Sequence, residues 1–104
     1  MLPMLLAMIE NDADRALLAE IYEQYHERME QAALRILKDT HDAEDAVQNA
    51  FLKIIRNFEK FLELPCKKKP FWCVCIVKIE ASTLLRKKKK AIMLESMEDA
   101  YDAS

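Results

Sequence analysis

The chain has 104 residues, no glycine and only three prolines, Pro3, Pro65 and Pro70. Glycine is the residue that takes positive φ without steric cost, so its absence argues against tight left-handed turns and removes glycine-rich phosphate loops. Helices joined by short links are what remains, and the expectation is an all-α fold. About half of the residues are apolar (52%) and a third are charged (33%), a balance that suits a folded helical bundle rather than a disordered chain. At this length there is material for one domain and one modest core, and too little for an elaborate active site.

Apolar spacing locates the helices. In Asp42 to Phe61, DAEDAVQNAFLKIIRNFEKF, the residues Ala43, Ala46, Val47, Ala50, Phe51, Ile54, Ile55, Phe58 and Phe61 recur at three- and four-residue steps and share one helix face. Glu44, Asp45, Gln48, Asn49 and Lys53 take the opposite side. Thr40 or Asp42 can cap this helix, and Asp42, Glu44 and Asp45 place carboxylates in its first turn, where the helix dipole favours them. Upstream, Asn11, Asp12 and Asp14 open a segment that runs to about Lys38 with Leu17, Leu18, Ile21, Tyr22, Tyr25, Met29, Ala33 and Leu37 in helical period. Its charged positions, including Arg28 and Arg35, read as a solvated face. Two such helices joined through Asp39, Thr40 and His41 should pack antiparallel. The apolar start MLPMLLAMI lacks a basic leader and is too short to span a bilayer, so it reads as a short helix or arm lying on the bundle.

After Phe61 the pattern breaks. Leu64 to Pro70 reads as a loop bracketed by prolines, and a third helix is expected from about Phe71 to Lys90. The expected architecture is therefore a three-helix bundle over residues 1–90 with a short N-terminal helix or arm, followed by an acidic tail over 91–104. Charge divides along the same lines. Residues 1–62 carry a net −5, residues 63–90 a net +7 and residues 91–104 a net −4, an asymmetry hidden in the total of −2. Lys67, Lys68 and Lys69 in the loop, Trp72 beside them and the run from Arg86 through Lys87 and Lys88 to Lys90 form the footprint of a nucleic-acid-binding surface. A solvated basic helix end with Trp72 in the core accounts for the same residues.

Chemistry-bearing motifs are sparse. No zinc-protease, nucleophile-elbow or Cys-His pattern occurs, so no enzyme activity is expected. Cys73 and Cys75 diverge about a helix axis, and His26 and His41 stand apart from any set at ligand spacing, so no metal and no cofactor is expected. Three cysteines without framework spacing suit a reducing compartment, and a cytoplasmic location is the default.

The stretch ALRILKDTHDAEDAVQNAFLKIIRNFEKF resembles the second conserved region of bacterial RNA polymerase sigma factors of the sigma-70 family, most closely the extracytoplasmic-function (ECF) group. The continuation FWCVCIVKIEASTLLRKKKK is similar to the DNA-facing helix of that region, with Trp72, Ile76, Lys78, Leu84, Leu85 and Arg86 on family-like positions. The resemblance implies a domain that docks on the coiled coil of the polymerase β′ clamp and helps melt the minus-ten promoter element. By position, Glu44, Asp45, Gln48, Asn49 and Leu52, with Arg56 at the edge, would contact the polymerase. The loop of Lys67, Lys68 and Lys69, with Trp72, Lys78, Ser82, Arg86, Lys87 and Lys88, would lie beside the separated non-template strand. An anti-sigma factor is a further partner that the resemblance allows, and no membrane is implied. Ile79 and Thr83 stand where the family commonly has asparagine and aspartate. The acidic tail resembles the start of the family's linker toward a second domain, which is expected elsewhere in a longer gene product or absent from a shortened relative. A sigma-like module that binds polymerase or a sequestering protein without engaging DNA is the other reading consistent with these residues.

Overall fold

A computed structural model describes the backbone of residues 2–102 and the side chains of residues 3–95. Five helices follow one another: α1 (Leu2–Leu6), α2 (Asp12–Leu37), α3 (Thr40–Arg56), α4 (Phe58–Glu63) and α5 (Lys68–Asp102). Among the described residues all regular secondary structure is helical. Helices α2, α3 and α5 each pack on the other two and make the bundle, while α1 lies on α2.

Local chemistry explains most boundaries. Asn11 caps α2, its side-chain oxygen accepting from the backbone N–H of Ala13 at 2.8 Å. At the other end Lys38 donates its N–H to Leu34 O and turns the chain with φ 56° and ψ 24°. A positive φ therefore does occur in this glycine-free chain, against the sequence expectation. The αL cap satisfies a terminal carbonyl, and the chain uses a lysine for it.

The cap of α3 is Asp39, not Thr40 or Asp42. Its carboxylate accepts from the N–H of Asp42, and the backbone of Asp39 is extended while Thr40 is already helical. The stretch read as one helix from Asp42 to Phe61 is two. Asn57 interrupts it at φ −119° and ψ 34°, its side-chain amide donating to Lys53 O at 3.1 Å in competition with the helical ladder. The redirected α4 buries Phe61 completely.

The proline-bracketed loop is shorter than expected, because Lys68, Lys69 and Pro70 already form the first turn of α5. Backbone N–H groups in a first turn have no intrahelical partner, so Pro70 fits there without loss. At its far end α5 does not stop at Lys90 but continues to Asp102, since neither glycine nor proline intervenes. Residues 103 and 104 of the acidic tail, and its side chains beyond Glu95, lie outside the described residues.

The core follows the three-and-four spacing closely. Leu18, Ile21, Met29, Ala33 and Leu37 of α2 meet Ala43, Ala46, Val47, Ala50, Phe51 and Ile54 of α3 and Cys73, Val77 and Ala81 of α5. Alanines at five of these positions leave room for close helix approach, and Phe51 fills the space between. Its complete burial contributes about 1.5–3 kcal/mol. From α1 and the link after it, Leu5 and Ile9 are buried, and Arg15 donates its Nε–H to the Ile9 carbonyl, pinning the arm to α2. Leu17 and Ile79, two apolar residues of the helical pattern, are exposed.

Candidate functional site

Two outward stripes of opposite chemistry result from this packing. On α3, successive residues turn by about 100°, so Glu44, Asp45, Gln48, Asn49, Leu52 and Arg56 fall within one arc of about 140° opposite Ala43, Ala50 and Ile54, with Glu44 at the edge next to Phe51. Glu44, Asp45 and Arg56 are exposed; Gln48, Asn49 and Leu52 are half-buried. All six residues expected on this face by sequence are thus brought together. Lys53 is not among them. It forms an ion pair with Glu80 of α5, whose side chain is only 11% exposed. This lysine offsets a carboxylate that the bundle has largely removed from water, and its role is to tie α3 to α5.

The acidic face extends to α2, which the sequence pattern alone did not indicate. A groove of about 320 Å³ is lined by Tyr22, His26 and Glu30 of α2 and Glu44 and Val47 of α3. The Tyr22 and His26 rings stack at 4.6 Å with 4° between their planes, and His26 Nδ1 lies 2.7 Å from the Tyr22 carbonyl. Burial, followed by the charges of Glu30 and Glu44, raises the pKa of the Tyr22 hydroxyl. The i, i+4 and i+8 spacing of Tyr22, His26 and Glu30 was the available signal, but only packing brings it to Glu44.

The second stripe runs along α5. With Cys73, Val77 and Ala81 turned inward, Lys68, Phe71, Cys75, Lys78, Ile79, Ser82 and Arg86 occupy the outward arc. Lys78, Ser82 and Arg86 are exposed at steps of four, and Lys67 and Lys68 are exposed at the N-terminal end, with Lys69 half-buried. Trp72 is half-buried, its ring 5.3 Å from that of Phe61, so it belongs in part to the core. Phe71 beside it is 72% exposed and presents the open aromatic surface. Lys87 is exposed, whereas Lys88 turns toward α3 and bonds to Asp42. That contact, followed by the nearby charges of Asp42 and Asp39, raises the pKa of Lys88.

Two further cations join the stripe from α2. A shallow groove of about 240 Å³ between α2 and α5 is lined by Arg28, Gln31, Ala32 and Arg35 on one side and Val74 and Lys78 on the other. Arg28 and Arg35, seven residues apart, share a helix face. The sequence alone read them as solvated because nothing in it told which neighbour that face meets.

Of the remaining expectations, Ile79 is 56% exposed in the middle of the α5 stripe, and Thr83 donates its hydroxyl to the Ile79 carbonyl at 3.0 Å. Cys66 is exposed, Cys73 buried and Cys75 half-buried. Among the described residues there is no group of three or more His, Cys, Asp or Glu side chains placed to hold a metal ion. No described helix is long and apolar enough to cross a membrane.

Comparison with curated proteins and with solved structures finds no match. Residues 21–91, which span the bundle from within α2 to just past the basic run of α5, match the family model for sigma-70 region 2. The chain belongs to the sigma-70 region 2 family, whose members act in transcription initiation with RNA polymerase.

Proposed function

We propose that the chain binds the β′ clamp coiled coil of RNA polymerase through the α3 stripe and engages the separated non-template strand of the minus-ten promoter element along α5. The observation that carries this reading is the separation of the two surfaces. Carboxylates and amides are gathered on one helix, and exposed cations with an open aromatic ring on another, so one partner of each kind can be held at once. Extruding a base from a duplex costs a few kcal/mol, which stacking surfaces and nearby cations must offset. Phe71, Trp72 and the lysines at the start of α5 supply both, and the groove of Arg28, Arg35 and Lys78 offers a path for the backbone phosphates.

The polymerase arm is tested with the double variant Asp45→Lys, Gln48→Ala in a pull-down with core polymerase, helicity being followed by circular dichroism. Loss of binding with helicity retained is expected; undiminished binding refutes the assignment. The DNA arm is tested by a gel shift on single-stranded minus-ten DNA across a salt series. Each phosphate contact on a single strand contributes about 0.7 to the slope of log K against log salt. Arg28→Ala with Arg35→Ala should therefore flatten the slope by about 1.4 if both groups meet phosphates. Affinity indifferent to salt rules the DNA arm out.

One observation favours a second reading. Phe71 and Ile79 place exposed apolar area on the α5 stripe, which suits a protein partner, a sequestering anti-sigma factor included. Polymerase binding without any DNA shift selects that reading.

A further inference from the structure

The groove between α2 and α3 holds two carboxylates that the bundle leaves without a counter-charge. Glu30 is half-buried on its α2 side and Glu44 is exposed on its α3 side. Among the described residues the ion pairs are Arg15 with Asp12, Lys53 with Glu80 and Lys88 with Asp42, so neither groove carboxylate is paired. Nor does either helix offer a lysine or arginine. The residues three and four positions away are His26, Glu27, Ala33 and Leu34 for Glu30, and Thr40, His41, Val47 and Gln48 for Glu44. Beside these charges lies a flat, braced aromatic surface. The His26 ring stacks on that of Tyr22, which meets the completely buried Phe51 ring at 5.0 Å and 43°. A carbonyl can only accept, so His26 Nδ1 donates to the Tyr22 carbonyl, and this bond and the stack together hold the imidazole in place. No further ring lies against His26 among the described residues, which makes the half-buried imidazole the outermost plate of the stack.

We propose that this groove is a socket for one arginine of the protein docked on α3, its guanidinium lying on the His26 ring and donating to Glu30 and Glu44. A guanidinium is planar, stacks on aromatic faces and carries several N–H donors in its own plane, so it uses the ring and both carboxylates at once. An ammonium is a point charge that uses the carboxylates alone, and a phosphate is repelled by them. A metal ion finds no group of three or more His, Cys, Asp or Glu side chains placed to hold it among the described residues. The occupant belongs to the partner on α3 because the groove shares Glu44 with that stripe, so a protein seated on Asp45, Gln48 and Leu52 has the groove at its flank. The socket rests on the polymerase reading above and deepens it. It brings Tyr22, His26 and Glu30 of α2 into the contact and fixes the chemistry of the group they receive.

A double-mutant cycle with core polymerase tests it. The Kd is measured for the unaltered chain and for Glu30→Gln, against core polymerase and against a set of polymerases in which each arginine of the clamp coiled coil is replaced singly by lysine. Glu30→Gln should weaken binding to unaltered polymerase at least about tenfold, as the loss of one member of a close charge pair does. One of the arginine-to-lysine polymerases should bind the unaltered chain correspondingly less well, and against that polymerase Glu30→Gln should cost nothing further. His26→Phe keeps a flat ring and should retain most of the affinity, whereas His26→Ala should lose it. A merely structural defect in Glu30→Gln would weaken binding to every polymerase in the set equally, so the cycle separates misfolding from lost contact. If Asp45→Lys with Gln48→Ala abolishes binding while Glu30→Gln and His26→Ala leave it unchanged, the socket is refuted and the α3 contact stands. An effect of Glu30→Gln that no arginine position abolishes also refutes the socket. If the unaltered chain does not bind core polymerase at all, the polymerase reading falls and the socket with it.

Discussion

Cys73 shows how far a single position is governed by its surroundings. Its thiol is buried between helices, and loss of solvation pushes its pKa from 9.0 up to about 12. Three pKa units leave about a thousandfold less thiolate near pH 8, so alkylation followed by mass spectrometry should label Cys66 readily and Cys73 only after denaturation. Because the folded pKa is raised, the associated stability is present below pH 9.0 and is lost as the pH climbs toward 12. Asp39 has the opposite sign. Hydrogen bonding to the Asp42 N–H lowers its pKa below the usual 3.8, so its stabilising effect is present above that value and lost as the pH falls through the folded pKa. Asparagine can make the same cap without titrating. The melting temperature of Asp39→Asn should accordingly fall less than that of the unaltered chain between pH 5 and pH 2. Neither residue's role is visible from its neighbours in sequence alone: Cys73 is buried only because other helices pack against α5, and Asp39 had two rivals for the same cap.

At the scale of elements, the link between α2 and α3 turns through Lys38 at φ 56°, a conformation that a Cβ disfavours and glycine does not. Lys38→Gly should therefore stabilise the bundle by about 0.5–1 kcal/mol, less whatever flexibility glycine adds to the unfolded chain. In a domain of this size that appears as a rise of about 2–6 °C in melting temperature, measured by circular dichroism. The helices themselves were legible because an amphipathic period of three and four repeats along α2 and α3. The break at Asn57 was not, because Phe58 and Phe61 keep the apolar spacing across it. The redirection depends on the Asn57 amide reaching the Lys53 carbonyl and on the space that Phe61 fills beside Trp72. The start of α5 was misplaced for a related reason: proline ends helices in general, but in a first turn its missing N–H costs nothing.

The whole molecule measures 61 × 27 × 21 Å, its length set by α5 extending past a bundle that closes near Arg86. A chain truncated after Lys90 should melt within about 1 kcal/mol of the intact one, since the side chains of residues 91–95 are exposed and contribute no core. A larger loss in a thermal or denaturant melt would mean that the extension folds onto the bundle. The sequence by itself determined the all-α class, the inward faces of α2 and α3, the family to which the chain belongs and the segregation of charge into blocks. Those properties follow from composition and from the 3.6-residue period, which act along one chain segment at a time. Only the tertiary structure decided which charges are available to a partner. Lys53 and Lys88 are engaged by Glu80 and Asp42, while Lys78, Arg86, Arg28 and Arg35 remain on outward surfaces. The physical reason is that a salt bridge or a groove is fixed by the position of a second helix, and the residues on that helix lie dozens of positions away in sequence.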